Sequence, residues 1–406
     1  MKNIIVTLVV LTTGLFSYAQ DKITNSKESS YSFEEIAHLD ATPVVSQGYT
    51  GTCWSFSALS FLESEMIRKG TENPPVLSPM YIARKAYEAK AMRYIRMDGK
   101  INFSQGAGFH DIPYVFRHFG IVPNKVYNGL NYGLDYHNHR ELFKGLNGYM
   151  DGILNYVENK GDKSLSNSWK TGLDGILDAY LGNDPKEFTY KGKDYTPKSF
   201  AKSTGLNMDD YVSLTSFTHL PLHKECQLAI QDNWMWGSSE NLSLDELVDA
   251  AVEALKNGYT IAWAVDVSEK GFNFREGLAI VPKDESTIEV EGSDNDNFSD
   301  AGAKKKSNAF NTPGEEVEVT PEIRQEQYNN KTTTDDHGMH ITGLYKDQDG
   351  TRYFLVKNSW GTKNYPQGFL YVSEAYFKLK TISLFLHKDG VPKKVANLLY
   401  SPKNKF

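Results

Sequence analysis

The sequence predicts an α+β fold in which helical and β-rich segments occupy different parts of the chain. Apolar residues recur at helical spacing from Cys53 to Met66 and in two further runs between residues 131 and 216. Near the C-terminus, two β-rich runs flank the turn-like string KDQDG, which predicts an antiparallel hairpin. The length of 406 residues and the hydrophobic content of 40% favour two or more lobes with large cores.

The first twenty residues predict a secretory signal peptide. Lys2 precedes an apolar run, and the small residues Ser17 and Ala19 place the cleavage after Ala19. The run is too short for a membrane span, and no later stretch has the roughly 18 apolar residues that a span needs. We therefore expect an exported protein, periplasmic or secreted, that is free of the membrane after cleavage. A retained N-terminal anchor is the alternative.

The charge and the cysteine content narrow the classes of function. The formal net charge is −7, it becomes −8 when Lys2 leaves with the leader, and no basic patch suggests nucleic acid as a partner. Export would permit a disulfide between Cys53 and Cys226, the two cysteines of the chain. A catalytic thiol must be free, however, so we expect both cysteines to be unpaired, with Cys226 buried.

The string SQGYTGTCWSFSA, residues 46–58, contains the candidate nucleophile Cys53. The preceding loop is rich in Gly and Thr and the following run is helical, so Cys53 is expected in the first turn of a helix. The unpaired N–H groups of that turn would lower the pKa of the thiol. Gln47 could join the Cys53 backbone N–H in holding an oxyanion. The alternative interpretation of Cys53 is a buried, inert thiol.

The predicted hairpin brings a base and an amide together. Its strands, Met339 to Tyr345 and Arg352 to Lys357, pair so that His337 and Asn358 emerge at the same end. His337 would accept the thiol proton and later protonate the leaving amine, while Asn358 would fix the tautomer of the imidazole. Trp360 would shield the bond between these two side chains from water.

His340 is the rival base in this string. Three residues along a strand from His337, it would face the opposite side of the sheet, where it would serve in packing. A metal site formed by the two histidines is disfavoured because no third ligand is suggested nearby. We therefore expect neither a metal nor a cofactor.

These strings resemble the active-site motifs of papain-like cysteine peptidases. The resemblance rests on QGYTGTCWSFSA with Trp54 beside Cys53, on HGMHITG with Gly343 six residues after His337, and on KNSWG. It implies a papain-like two-lobed fold, a helical lobe plus a β-rich lobe, with helical insertions. It also implies peptide substrates, hydrolysed through a thioacyl-enzyme.

Further strings resemble the bleomycin hydrolase and bacterial aminopeptidase C branch of that family. They are FHDIPYVFRHFGIVP, GLNMDDYVSL, YTIAWAVDV and GVPKKVANLL. Residues 20–46 are too few for the inhibitory N-terminal segment of other papain-like enzymes, and this branch also lacks that segment. The resemblance implies an aminopeptidase and a homo-oligomer, a hexamer that encloses its active sites.

The C-terminal tail leaves the mode of cleavage open. In that branch the C-terminal carboxylate lies in the cleft, so that only the free amino end of a substrate fits. Here Tyr400 to Phe406 is shorter and has no acidic residue. If the tail reaches Cys53, Phe406 supplies the blocking carboxylate; if it falls short, an open cleft would allow endopeptidase cleavage.

Two further alternatives concern chemistry. The same catalytic pair could transfer the acyl group to an amine in place of water. The chain could also be a catalytically idle papain-like binding protein. That alternative is disfavoured because all four candidate residues are present: Gln47, Cys53, His337 and Asn358.

The chain is expected to divide into four segments. Residues 1–19 form the leader, 20–130 the N-terminal segment and helical lobe with Cys53, 131–216 a mainly helical insertion, and 217–406 the β-rich lobe with His337 and Asn358. Residues 282–321 within the last segment lack buried periodicity and predict a mobile surface insertion, either a solvated loop or a lid.

Two glycines in the string GAGFHD are candidate substrate contacts. Gly106 and Gly108 would let a substrate backbone approach closely because they have no side chain. A simple turn into the next helix is the alternative.

Overall fold

The structure is a computed structural model that describes residues 22–158, 164–292 and 303–400. The predicted leader and residues 401–406 of the tail lie outside the described residues. The helices of the described part are α1 (Cys53–Arg68), α2 (Pro79–Arg96), α3 (Asp111–His118), α4 (Arg140–Glu158), α5 (Ser168–Leu181), α6 (Pro197–Ser203), α7 (Leu244–Lys256), α8 (Pro321–Asn329), α9 (Glu374–Lys380) and α10 (Lys393–Leu399). Within these ranges no helix has both the length and the apolarity to cross a bilayer.

The strands of the described part are short except for the predicted hairpin. They are β1 (Glu34–His38), β2 (Phe188–Tyr190), β3 (Lys193–Tyr195), β4 (Tyr211–Thr215), β5 (Glu225–Gln227), β6 (Ser238–Asn241), β7 (Ile261–Val265), β8 (Phe272–Asn273), β9 (Leu278–Ala279), β10 (Glu289–Glu291), β11 (Lys304–Lys306), β12 (His337–Lys346), β13 (Arg352–Lys357), β14 (Phe369–Ser373) and β15 (Thr381–His387). The predicted α+β class is confirmed.

A sheet of 11 strands crosses the molecule in the order β5-β6-β4-β15-β7-β12-β13-β14-β9-β8, with β1 paired to β12 beside this path. Strands β12 and β13 are antiparallel and place His340 opposite Lys357. Asn358 therefore leaves β13 level with Met339, in the register that the sequence predicts. On its other side β12 pairs with β7, so His337 lies opposite Val265 at the edge of the lobe.

The two faces of this sheet belong to two hydrophobic cores. One face, which carries Ala262 and Phe385, packs with helices α1 to α6. The other, which carries Trp263 and Met339, packs with α7, α9 and α10. Because α1 lies between the other helices and the sheet, it is buried from Cys53 to Met66. The first residue of this buried helix thus lies where the helical and β-rich parts meet.

Local signals in the sequence predict several elements correctly. The two amphipathic runs between 131 and 216 are α4 and α5, and the predicted small hairpin is β2 paired with β3. Capping boxes begin α6 at Thr196 and α7 at Ser243, where each side chain accepts a hydrogen bond from the backbone N–H three residues later. These features depend on neighbours in the chain, which explains why the sequence alone reveals them.

The sheet extends beyond the segment expected to contain it. Strand β1 comes from residues 20–130 and β4 from 131–216, and both pair within the large sheet. The division into four segments stays a prediction, but β strands are not confined to residues 217–406.

The surface insertion expected at 282–321 stays a prediction, but its described parts, 282–292 and 303–321, are anchored to the rest of the chain at several points. Strands β10 and β11 pair there, and Phe310 is only 1% exposed, in a cluster with Tyr31 and Tyr353. Asn25 Nδ2 donates to the Phe310 carbonyl oxygen at 2.9 Å. A few apolar residues and distant backbone bonds anchor this segment, and neither produces a periodic pattern in the sequence.

Candidate active site

Cys53 is the first residue of α1, and its side chain lies at the wall of a cavity. The residue is 9% exposed. The N-cap residue Thr52 makes no side-chain cap, and the backbone N–H groups of Trp54 and Gly338 point at the thiol and favour its ionised form. The helix start therefore presents donors to the sulfur, as the loop sequence predicts.

Burial nevertheless decides the charge of this thiol. It raises the pKa of Cys53 to about 12, against the opposing effect of the Gly338 and Trp54 N–H groups. The carboxylates of Asp232 and Asp335 also raise the pKa of Cys53. The N–H of Trp54 at the helix start lowers the pKa of Cys53 as expected, but desolvation outweighs this effect.

His337 and Asn358 form a direct hydrogen bond. The distance between His337 Nε2 and Asn358 Oδ1 is 2.8 Å, and the Ser359 backbone N–H donates to the same oxygen at 2.7 Å. Since this oxygen is an acceptor, Nε2 of His337 must carry the proton and Nδ1 must be free of one. The indole of Trp360 covers the imidazole at a centroid distance of 4.7 Å, which is the shielding position predicted for it.

The other ring nitrogen of His337, Nδ1, is available to act as a base. Nδ1 is buried and has no hydrogen-bond partner among the described residues, and the residue lines the same cavity as Cys53. Burial lowers the pKa of His337 to about 4, with the bond to Asn358 acting in the opposite direction. A neutral imidazole with an unprotonated Nδ1 is the form that can accept a proton from a thiol.

His340 lies on the α1 side of the sheet and does not line that cavity. It is fully buried, and its Nδ1 lies 2.9 Å from the Ser60 hydroxyl. Lys357 Nζ donates to the same hydroxyl at 2.7 Å, so the hydroxyl proton is free to bond to His340. This histidine is held in a polar contact between helix and sheet.

Gln47 forms two hydrogen bonds with Ser359, the residue after Asn358. Ser359 Oγ donates to Gln47 Oε1 at 2.6 Å, and the Gln47 backbone N–H donates to the Ser359 carbonyl oxygen at 2.8 Å. The side-chain Nε2 donates to the Thr50 carbonyl oxygen at 2.6 Å. One N–H of the amide is thereby committed, and the other is left for a ligand in the cavity that Gln47 and Cys53 share.

Gly106 and Gly108 also line the cavity, but the structure gives them a further reason to lack side chains. A Cβ atom on Gly106 would lie 1.9 Å from Asp232 Oδ2, and one on Gly108 would lie 2.4 Å from His110 Cε1. The space beside these glycines is therefore filled by side chains of the protein. Their role as substrate contacts stays a prediction.

Gln105, which the sequence did not single out, joins this loop to α1. Its side-chain oxygen accepts from the Gly51 N–H at 2.9 Å, and its carbonyl oxygen accepts from Trp54 Nε1 at 3.1 Å. Trp54 thus supports the site by fixing the loop that carries Gly106 and Gly108.

The cavity has a volume of about 390 Å³, and its lining includes every predicted site residue except Asn358 and Trp360. Its lining also includes three acidic residues, Asp232, Asp335 and Asp336, that sequence reasoning missed. Asp335 belongs to the string DDHG, whose acidic pair was a signal that the motif comparison passed over. In the described ranges, no group of His, Cys, Asp and Glu side chains could hold a metal ion. Both cysteines are unpaired, and Cys226 is half-buried, not buried as expected.

Comparison with known proteins gives similar sequences along most of the chain. Residues 315–405 match the Peptidase C1-like family. Aminopeptidase G of Lactobacillus delbrueckii subsp. lactis is 24% identical over 89% of this chain and 85% of its own length. Bleomycin hydrolase of Mus musculus is 21% identical over 90% of this chain and 85% of its own length.

The fold has a counterpart of known structure. The crystal structure of PepW from Lactobacillus rhamnosis HN001 matches with a TM-score of 0.68, over 92% of this chain and 86% of that chain, at 19% identity. This likeness shows the fold. Together these comparisons confirm the resemblance read from the motifs around Cys53, His337 and Asn358.

Proposed function

Because this chain is a papain-like cysteine peptidase of the bleomycin hydrolase and aminopeptidase C branch, we propose that it removes residues from the amino ends of peptides by a Cys-His-Asn mechanism. One observation carries the mechanism. His337 shares a cavity with Cys53, its Nε2 is committed to Asn358, and its Nδ1 is buried without a partner.

In the proposed reaction, His337 Nδ1 accepts the proton of Cys53 Sγ as the sulfur attacks the substrate carbonyl carbon. The carbonyl oxygen becomes an oxyanion, which the free N–H of the Gln47 amide and the Cys53 backbone N–H stabilise. His337 then returns its proton to the leaving amine, and a thioacyl-enzyme remains. Water, deprotonated by His337, attacks this thioester and releases the acid together with the Cys53 thiol.

The preference for amino ends is supported by the relatives, since proteins named aminopeptidase G, C, W and E resemble this chain. Endopeptidase cleavage is the second candidate, which an unblocked cleft would allow. Acyl transfer to an amine would use the same thioacyl-enzyme.

The test compares one peptide with a free amino end and the same peptide with an acetylated amino end. We expect the free peptide to lose its first residue and the acetylated peptide to resist, with products identified by mass spectrometry. Cys53→Ala should abolish turnover and should leave Cys226 as the only thiol of the chain that iodoacetamide can label. Equal internal cleavage of both peptides would contradict the aminopeptidase proposal, and turnover by Cys53→Ala would contradict the mechanism.

Export and assembly are further proposals. The apolar run after Lys2 and the small residues before Gln20 support a leader that is cleaved after Ala19. A homo-oligomer is supported by the resemblance alone, and light scattering of the purified protein would measure it.

A further inference from the structure

Three aspartates line the cavity beside Cys53, Asp232, Asp335 and Asp336, and the proposed hydrolytic steps use none of them. Asp335 lies two residues before His337, the first residue of β12, and Asp232 lies in the connection between β5 and β6. Both residues line the cavity that also contains Cys53, Gln47 and His337. Both raise the pKa of the Cys53 thiol, which shows that their charge is felt at the sulfur.

Asp335 has no hydrogen-bond or ion-pair partner among the described residues. Its neighbour Asp336 is used differently: its carboxylate accepts from the Val267 N–H at 2.9 Å and from the Ser268 hydroxyl at 2.5 Å. Asp266 likewise accepts from the Thr334 N–H at 2.8 Å. The adjacent carboxylates thus hold the backbone of the two loops together, whereas Asp335 lines the cavity without a structural partner.

Burial and the charges of Asp232 and Asp266 raise the pKa of Asp335 well above its ordinary range. Asp335 is half-buried, and ionising a partly desolvated carboxyl group that has no partner is unfavourable. A cation supplied by a ligand would compensate it.

Asp232 is only partly neutralised by the protein. Burial raises the pKa of Asp232, and the charge of Lys90 and the hydrogen bond from Asn102 Nδ2 to its Oδ1, at 3.3 Å, only partly oppose this shift. Lys90 also faces Asp111, and its ammonium is held by the carbonyl oxygens of Ser104, at 2.9 Å, and Gly106. One buried lysine therefore serves two carboxyl groups, and Asp335 adds a third carboxyl group to the same region.

We infer that Asp335, assisted by Asp232, binds the α-ammonium group of the substrate's first residue. This inference rests on the proposed aminopeptidase function and names the residues that would make the enzyme specific for free amino ends. The unprotonated Nδ1 of buried His337 independently marks the cavity as the place where a substrate reacts.

The separation of Asp335 and His337 along the chain fits a contact between Asp335 and the α-ammonium group of a substrate's first residue. The α-nitrogen of a peptide's first residue lies about 2.5 Å from the carbonyl carbon that Cys53 attacks. An ammonium–carboxylate contact adds about 2.8 Å, so the anchoring oxygen must lie close to the reacting carbon. Asp335 precedes His337 by two residues, a distance of at most about 7 Å between their Cα atoms.

A lysine or arginine side chain is the competing ligand for these carboxylates. It carries its charge at the end of a long flexible stem, so its carboxylate partner would be expected far from the base. The position of Asp335 next to His337 favours the α-ammonium.

The experiment is a double-mutant-type cycle that combines one substitution in the enzyme with one change in the substrate. Alanyl and propionyl amides of the same fluorophore differ only in the α-amine. The cleavage of each amide is measured with the full-length protein and with its Asp335→Asn variant. We expect the alanyl-to-propionyl ratio of kcat/KM to fall by about 30-fold or more in Asp335→Asn, mainly through KM. Asp349→Asn, an exposed aspartate on the turn between β12 and β13, is the matched control and should keep the ratio.

Labelling of Cys53 by iodoacetamide and thermal unfolding verify that each variant retains its fold. If Asp335→Asn does not fold, Asp335→Ser and Asp232→Asn provide the same comparison, with a smaller loss expected for Asp232. An unchanged ratio in a folded variant that cleaves both amides would overturn the inference. A loss seen only with lysyl and arginyl amides, whether or not acetylated, would also overturn it. Failure of the unmodified protein to cleave any amide would instead refute the proposed function.

Discussion

The thiol of Cys53 and the imidazole of His337 are both buried, and burial shifts each pKa away from the charged form, to about 12 and about 4. An isolated charge on either residue is therefore unfavourable. A thiolate and an imidazolium formed together compensate each other, so proton transfer between them is favoured when the substrate completes the site. At the residue scale, Asn358 matters because it assigns the proton of the resting imidazole to Nε2.

The two histidines of HGMHITG are expected to respond differently to substitution. His337→Ala removes the base, and we expect kcat to fall about a thousandfold or more with little change in thermal stability. His340→Ala removes a buried ring and its bond to Ser60, and we expect unfolding to become easier by about 2–5 kcal/mol. Steady-state kinetics and denaturant unfolding of both variants measure this, and the reverse ranking would show that the catalytic base was misassigned.

At the scale of elements, a buried polar network joins α1 to β13. Glu63 on α1 accepts from the Leu77 N–H at 2.7 Å and from the Thr42 hydroxyl. Lys357, the last residue of β13, donates to the same Thr42 hydroxyl at 3.3 Å and to Ser60 on α1 at 2.7 Å. Since Asn358 follows Lys357 and Cys53 begins α1, this network fixes the two elements that carry these proposed catalytic residues.

Glu63 should make stability depend on pH. Burial raises the pKa of Glu63 to about 7, above its ordinary value of 4.5, so the unfolded chain releases this proton first as the pH rises. The contribution of protonated Glu63 to the free energy of unfolding is therefore fully present below about pH 4.5 and is lost as the pH rises through about 7. Lys357, whose pKa burial lowers to about 8, stays charged in both states across this window.

Chemical denaturation of the unmodified protein and of Glu63→Gln between pH 4.5 and 7 tests this. The difference between their unfolding free energies should decline with pH, by at most about 1.4 kcal/mol per unit. The depressed pKa of His340 acts in both proteins and cancels in the difference. Glu72→Gln, at an exposed loop position, is the control, and a difference that does not vary with pH would contradict the assignment.

At the scale of the whole molecule, the site belongs to neither core alone. Cys53 comes from the helix at the centre of one core, whereas His337 and Asn358 come from the sheet that borders the other. Their relative positions depend on the packing of α1 against β12 and β7. Loosening this packing should therefore affect activity before secondary structure is lost.

The whole chain also carries a prediction about export. If residues 1–19 are a leader, the protein isolated from outside the cytoplasm should begin at Gln20. Val9→Asp should interrupt the apolar run and leave the protein inside the cell with its leader, whereas Val9→Leu should be processed normally. Intact-mass spectrometry of both fractions measures this, and a mature protein that retains Met1 would contradict the prediction.

The sequence by itself determined the features that depend on near neighbours. The start of α1 at Cys53, the β12–β13 register and the capping boxes at Thr196 and Ser243 follow from periodicity, turn chemistry and side-chain caps. The hairpin register even placed His337 beside Asn358, because two paired strands bring distant positions together through one local turn.

Only the tertiary structure decided the environment of these residues. The pKa of Cys53 depends on desolvation by surrounding elements, which outweighs the helix N-terminus that the sequence reveals. Asp232 and Asp335 meet in one cavity because separate connections of the sheet converge there, and Phe310 is buried by contacts with the N-terminal segment. No local pattern encodes such contacts, since their free energy arises between segments that are far apart in the chain.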